Sequence, residues 1–449
     1  MAHTHHPSTG DSPPLALGID LGSSGLRLSL IDATGQDIWH AASPYPLPFA
    51  NPEGWRQGVV TLVQQMPTAL RGRVVALAVD GTSGTLLLCQ PDGRLAAGDL
   101  ALALPYHLAC PAHAAAAQAL AGAGDGGGPA DPHGPAAGAS GSLARALQLL
   151  TAAGRWDGSL WLRHQADWLM GWLLQDWRWG EEGNNLRLGW RLQEGCWAGR
   201  IGAQPWREAL PAVVASGTVL GRLAPAVAHM LDLPAQVQVV AGSTDANAAV
   251  LAANPQPGDG ITVLGTTLVL KQFAPGPLQG AGISNHRLGG RWLVGGASNA
   301  GGGVLRRLFS DQQLAELSRQ IDPERPSGLQ LRPLNGRGER FPQEDPELEP
   351  ILEPRPVSDA LYLQGLLEGL SRIEAAGWRR LRELGAPPLQ RVISVGGGAR
   401  NPQWRQLRQR QLGLPVLNRP GLAPALGMAR LALNALELGR MEPVPAPDP

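Results

Sequence analysis

Apolar positions along the chain fall into short runs closed by glycine turns, and one arrangement of them occurs twice. Near the start, LALGIDLGSSGLRLSLID places apolar runs at Leu15 to Asp20 and Leu26 to Ile31. The small turn Gly22-Ser23-Ser24-Gly25 joins them, which predicts a β-hairpin. Far downstream, ITVLGTTLVLKQF repeats the design, with runs Ile261 to Leu264 and Leu268 to Phe273 around Gly265-Thr266-Thr267. A long α/β stretch follows each copy, so two similar domains are expected rather than an array of short repeats.

Other runs read as buried strands. Val74 to Val79 ends at Asp80, and Val237 to Ala241 leads to Asp245, which opens an Ala-rich helix. Val392 to Val395 runs directly into Gly396-Gly397-Gly398. WLRHQADWLMGWLLQDW predicts one amphipathic helix with a Trp-rich face, carrying both His164 and Asp167. Helical spacing returns at Ala423 to Leu438. Residues 1–14 and 441–449 are polar or Pro-rich and are expected to be disordered tails. Residues 116–142 are mostly Gly, Ala, Pro, Asp and Ser, which predicts a flexible surface insertion.

Composition narrows the function. With 37 basic and 37 acidic side chains, the chain has no net field to favour nucleic acid or an anionic membrane. No run of 18 apolar residues occurs, so no membrane-spanning helix is expected. The three cysteines form no CxxC pair, which fits a reducing compartment, and the start of the chain has no secretory signal, so a cytoplasmic location is expected. Lys271 is the only lysine, and Leu270 rather than Gly precedes it. A Walker A phosphate loop is thereby excluded. No GxGxxG follows the first strand, and the turn there leads into another strand, which excludes a dinucleotide-binding Rossmann unit.

The chemistry-bearing residues gather at strand ends. Asp20 ends an apolar run and precedes small residues whose amides and hydroxyls can wrap phosphate oxygens. Its carboxylate can hold Mg²⁺. At the start of a helix, Asp245 is kept ionised by the helix dipole and can accept a proton. Asp80 reads equally well as a turn residue or a site residue. The three glycines from Gly396 allow close approach of a flat ring such as adenine. Ser298 to Gly303 opens an apolar helix whose N-terminus can face phosphate or adenosine. The His164–Asp167 pair reads as structural, and the acidic, Pro-rich QEDPELEPILEP as a solvated surface.

Taken together, GIDLGSSGLRLSLID, AVDGTSG, HQADWLMGWL, NNLRLGW, AGSTDANAAVLAA, GDGITVLGTT, GGASNAGGGVL, VISVGGGARNPQW and ALGMARLAL resemble the FGGY family of carbohydrate kinases, within the actin-like ATPase superfamily. The resemblance is strongest to its short pentulose kinases of cyanobacterial and plastid type. It implies an α/β fold of two ribonuclease-H-like domains, about 15–235 and 236–421, with a nucleotide–sugar cleft between them. A final helix, 422–440, would fold back onto the first domain. The implied reaction is ATP- and Mg²⁺-dependent phosphorylation of D-ribulose to D-ribulose 5-phosphate. D-xylulose or another sugar or polyol is the alternative acceptor, and a catalytically degenerate nucleotide- or sugar-binding protein is the alternative of another class.

The resemblance assigns roles residue by residue. Asp20 would organise Mg²⁺ and the sugar-side phosphate, with Gly22, Ser23 and Ser24 on phosphate. Asp245 would be the general base and a second metal-side carboxylate, and Ser83 would touch the sugar. Gly265 and Thr266 would contact the polyphosphate, and Gly302, Gly397, Gly398 and Asn401 the nucleotide. The implied partners are a sugar and ATP, without nucleic acid or membrane, for a monomer or homodimer. Two departures stand out. Asp80-Gly81-Thr82-Ser83-Gly84 replaces the Gly-Gln-Met-His-Gly sugar loop of ordinary xylulose kinases. Pro105-Tyr106-His107-Leu108 stands where relatives tend to carry Met-Tyr-Asn-Asp.

Overall fold

The computed structural model describes residues 13–122 and 134–439. They form two compact units. One comprises the chain through Ala252 together with the segment from Ala423 onward, and the other runs from Ala253 to Leu422.

The first unit is built on β1 (Leu15–Gly22), β2 (Gly25–Ile31), β3 (Asp37–Ser43) and β4 (Val74–Gly81). Its sheet has the order Val219–Arg222, Gln238–Thr244, β4, β1, β2, β3. β1, β2 and β3 run antiparallel, whereas β4 lies parallel to β1 and Gln238–Thr244 parallel to β4. β1 is buried along its whole length, as expected of a central strand covered on both faces. Its alternation divides the labour. Leu15, Leu17, Ile19 and Leu21 join a core with Trp55, Val59 and Leu62 of the helix Pro52–Gln65. Ala16 and Gly18 lie on the other face, where the helix Pro424–Gly439 packs. A Cβ on Gly18 would stand 1.8 Å from the Ala425 carbonyl oxygen, so only glycine admits that helix backbone.

The second unit repeats the design. Asp259–Leu264, Leu268–Ala274 and Arg291–Ser298 are antiparallel neighbours, and Arg391–Val395 pairs parallel with Asp259–Leu264. Ile283–Leu288 and Val416–Asn418 complete a six-stranded sheet at its two edges. The helices Asp359–Glu383 and Pro402–Leu412 are bound to the sheet through a buried polar knot. Arg408, 0% exposed, donates to Glu374 at 2.5 and 2.6 Å and to Ser394, while Thr262 donates to Glu374 at 2.6 Å. Among the described residues no helix is long and apolar enough to cross a membrane.

Three expectations are revised. The segment from 236 was assigned to the second domain, but Gln238–Thr244 and the helix Asp245–Ala252 belong to the first unit. The cause is tertiary: Gln238 to Thr244 find their partners in Ala76 to Gly81 of β4. The expected Trp-rich helix begins only at Gln165. Trp161–His164 is a strand (β6) paired antiparallel with Leu86–Cys89 (β5), and the helix Gln165–Leu174 is buried nearly all round rather than amphipathic. The expected insertion is partly built. Ala114–Ala121 is a helix, as its alanines favour, and residues 134–141 pack with Ala136 and Ala137 buried. The remainder, 123–133, lies outside the described residues, as do residues 1–12 and 440–449 of the two tails.

Candidate active site

A two-residue hairpin turn sets the first contact. Pairing Gly22 with Gly25 puts Asp20 opposite Arg27. Arg27 Nη1 donates to Asp20 Oδ2 at 3.0 Å, and the Asp20 side chain is 1% exposed. Its second oxygen, Oδ1, has no hydrogen-bond partner among the described residues. Parallel pairing then sets Asp80 level with Asp20 and Ser243 level with Asp80. Burial raises the Asp20 carboxyl above its ordinary range, against the lowering effect of a side-chain hydrogen bond with Asp80 and of the charge and hydrogen bond of Arg27. Burial, and then the charge of Asp20, push Asp80 well above it.

Asp245 opens the helix that directly follows the strand Gln238–Thr244. Its Oδ1 accepts from Ala246 N at 2.8 Å, and the Ser83 backbone N–H also donates to it. Burial and the neighbouring Asp20 push Asp245 up to about 6, against the lowering effect of those two amides and of Arg187. Arg187 lies beside the Ser83 loop and donates through Nη2 to Ser140 O at 2.7 Å, while its buried Nε has no partner among the described residues. Asp20, Asp80, Ser83 and Asp245 thus belong to one unit and one constellation. This revises the expectation that Asp20 and Asp245 come from separate halves of the molecule.

The Ser83 loop is held by two residues that were not singled out in the sequence. Gln165 Oε1 accepts from Thr82 N at 3.0 Å and from Thr82 Oγ1 at 2.8 Å. Gln165 Nε2 reaches Tyr45 Oη at 3.5 Å, and Tyr45 Oη donates to Gly22 O at 2.7 Å. The Ser83 loop is therefore tied to the first hairpin. At the hairpin tip, Ser23 and Ser24 are exposed, as a phosphate cradle requires. Arg27 was legible, because a two-residue hairpin fixes which side chain faces Asp20. Gln165, Tyr45 and Arg187 carried no local signal, since each reaches the site through tertiary contact.

A divalent cation has a plausible chemical seat here. The buried Asp20 Oδ1 without a donor is an orphaned acceptor, and Mg²⁺ takes oxygen ligands from one or two carboxylates with water and phosphate. Among the described residues there is no group of three or more His, Cys, Asp or Glu able to hold a metal by themselves. Ser142, His164 and Asp167 have the outline of a nucleophile triad, with His164 Nε2 3.0 Å from Ser142 Oγ and Nδ1 3.6 Å from Asp167 Oδ2. All three are at most 1% exposed, and Asp167 accepts from Glu181 N and Asn185 Nδ2, so they form a sealed structural network.

In the second unit, three glycine turns meet at the end of Asp259–Leu264. Gly302 N donates to Gly265 O at 2.9 Å, and Gly303 N to Thr266 O at 3.1 Å. A Cβ on Gly398 would stand 2.8 Å from Leu264 Cβ and 2.6 Å from the Trp404 ring, so the turn after Arg391–Val395 packs onto the same strand end. Gly265, Thr266, Gly302, Gly397 and Gly398 are therefore neighbours, with Arg306 Nη2 3.7 Å from the Cβ position of Gly397. The Asn401 side chain is occupied: Oδ1 caps the following helix at Trp404 N, and Nδ2 donates to Ser318 Oγ at 2.8 Å. These bonds brace the turn that follows Arg391–Val395.

Residues 258–436 match the C-terminal domain of the FGGY family of carbohydrate kinases. Among curated proteins, the xylulose kinase of Klebsiella pneumoniae is 26% identical over 256 residues, 53% of this chain and 53% of that protein. The L-fuculokinase of Salmonella typhi is 25% identical over 230 residues, 47% of this chain and 46% of that protein. The chain thus aligns with about half the length of these curated relatives. Among solved structures, a xylulose kinase from Bifidobacterium adolescentis superposes with a TM-score of 0.73 at 20% identity, covering 95% of this chain and 93% of that one. The glycerol kinase of Plasmodium falciparum, solved with ADP, gives 0.74 at 13% identity over 95% and 90% of the two chains. The fold is the two-domain α/β fold of these kinases, each domain built on a mixed six-stranded sheet.

Proposed function

We propose that this chain, which has the fold of the FGGY carbohydrate kinases and carries their C-terminal domain, is an ATP-dependent ketopentose kinase with D-ribulose as its first substrate. The observation that carries the reading is Asp245, a carboxylate pushed up to about 6, held by the Ser83 N–H and set beside Asp20. A base tuned toward neutrality is what removal of a hydroxyl proton requires.

In the reaction, Asp245 accepts the proton of the sugar's terminal hydroxyl as that oxygen bonds to the γ-phosphorus of ATP. The bond from phosphorus to the β–γ bridging oxygen breaks, and ADP leaves. Ser83 holds Asp245 in place from its backbone and presents its hydroxyl to the sugar. The open tip at Gly22, Ser23 and Ser24 donates to phosphate oxygens. Gly265, Thr266 and Gly302 receive the polyphosphate, and Gly397 and Gly398 leave room for adenosine, with Asn401 bracing that turn. Mg²⁺ would be held by Asp20 and Asp245, and when bound would supply charge neutralisation to the phosphates. Positioning and charge neutralisation are the main sources of rate in such transfers.

D-ribulose is favoured by the overall resemblance to the short pentulose kinases, with Asp80-Gly81-Thr82-Ser83-Gly84 standing where ordinary xylulose kinases carry Gly-Gln-Met-His-Gly. D-xylulose is the second reading, because relatives at about a quarter identity bear the name xylulose kinase. The test is ADP release over a ketose panel with Mg-ATP. Sugar-dependent release that is fastest with D-ribulose supports the first reading, and preference for D-xylulose replaces it with the second. Release that no ketose or polyol accelerates, with nucleotide binding intact, means a degenerate binding protein.

A further inference from the structure

We propose that Asp80 is a second carboxylate ligand of the divalent-cation site, beside Asp20 at the paired ends of β1 and β4. This deepens the kinase reading and rests on its assignment of Asp20. Asp80 is 0% exposed, and among the described residues its carboxyl meets no N–H or hydroxyl donor; its side-chain partner is the Asp20 carboxyl. Buried polar groups nearly always find partners, and two buried carboxyls that have chiefly each other must either share a proton or hold a cation.

The nearby donors are committed elsewhere. Thr82 Oγ1 is shared with Thr85 Oγ1 at 2.6 Å and Gln165 Oε1 at 2.8 Å, and Thr82 N also goes to Gln165. Arg27 takes Asp20 Oδ2. Asp20 Oδ1 and both Asp80 oxygens are left with no N–H or hydroxyl donor, on adjacent parallel strands whose register sets the two residues level. Oxygen atoms with no competing donor are the ligands that Mg²⁺ and Mn²⁺ seek. Side by side, the two carboxylates repel, and a cation between them removes that conflict. The strand Gln238–Thr244 adds only Ser243 at this level, and its Oγ accepts from Asn247 Nδ2 at 3.4 Å. The alternative is that the proton of the Asp20–Asp80 hydrogen bond stays between the two carboxyls and no cation enters.

The test is Mn²⁺ binding to the full-length protein, read by electron paramagnetic resonance without nucleotide and again with ADP. Asp80→Asn should weaken Mn²⁺ binding tenfold or more in at least one condition, with the melting temperature unchanged or raised. Asp80→Ser, which removes the carboxyl and most of the volume, should do the same and covers the case in which the amide misfolds. Binding within twofold of wild type in a folded Asp80 variant overturns the proposal. If Asp20→Asn loses Mn²⁺ while the Asp80 variants keep it, the kinase reading stands and this inference falls. If none of these variants changes binding, or the wild type binds no Mn²⁺ even with ADP, the Asp20 assignment falls too.

Discussion

At the scale of single residues, the site is a crowd of carboxylates with few positive neighbours, and this sets its pH dependence. Asp245 is raised from 3.8 to about 6, by burial first and by Asp20 among the charges. A general base works only when ionised, so kcat/KM should fall about tenfold per pH unit below about 6 and level off above it. A pH–rate profile checks this, and a flat profile down to pH 4.5 would remove Asp245 from the role. Asp245→Asn keeps the shape and removes the base. Sugar-dependent ADP release should drop by about 10²–10⁴-fold while nucleotide affinity is retained. Near-normal turnover in that variant means that another group takes the proton. Asp20, Asp245 and the glycine turns were legible because strand ends and helix starts have local signatures. The pairing of Asp80 with Asp20, and with no other donor, was not, since it depends on where every surrounding donor points.

At the scale of elements, the position of Asp245, the proposed base, depends on a helix far away in sequence. The helix Asp245–Ala252 packs against Pro424–Gly439, and a Cβ on Gly427 would stand 1.9 Å from the Ala248 carbonyl oxygen. Gly427→Val must push the two helices apart by more than a side-chain adjustment. The expected outcome is a large loss of kcat, because Asp245 is the first residue of the displaced helix, together with a lower melting temperature. Unchanged kcat in a folded Gly427→Val protein would show that the helix contact does not set the base. In the second unit, Arg408→Leu leaves Glu374 as a buried charge without its counter-ion and should cost about 3–5 kcal/mol by urea denaturation. The hairpins at Gly22 and Gly265 could be read from alternation and small turn residues alone. The strand Gln238–Thr244 could also be read, but not its sheet, because a buried parallel strand chooses its neighbour by tertiary pairing. Likewise, Trp161–His164 looked helical because Leu162 keeps helical spacing with Ala166, Leu169 and Leu173 of the true helix.

At the scale of the whole molecule, the chain closes its first unit last. β1 and β4 are made early, yet the face carrying Ala16 and Gly18 is covered by Pro424–Gly439, after the entire second unit has intervened. That helix buries Ala425, Met428, Ala429, Leu431 and Ala432. Burial of Met428 and Leu431 alone is worth about 3–6 kcal/mol, set against the ~5–15 kcal/mol that holds a typical domain together. The segment from Ala253 to Leu422 has its own apolar core, from Leu264 through Val416, and does not draw on that helix. Ending the chain at Leu422 should therefore unfold or loosen the first unit selectively. Hydrogen exchange is the measurement: amides of β1 and β4 should lose protection, while those of Asp259–Leu264 and Arg391–Val395 keep theirs. Equal loss in both sheets would mean that the two units fold as one cooperative body. Unchanged protection in β1 and β4 would mean that the final helix is an accessory and that the first sheet is stable with one face bare.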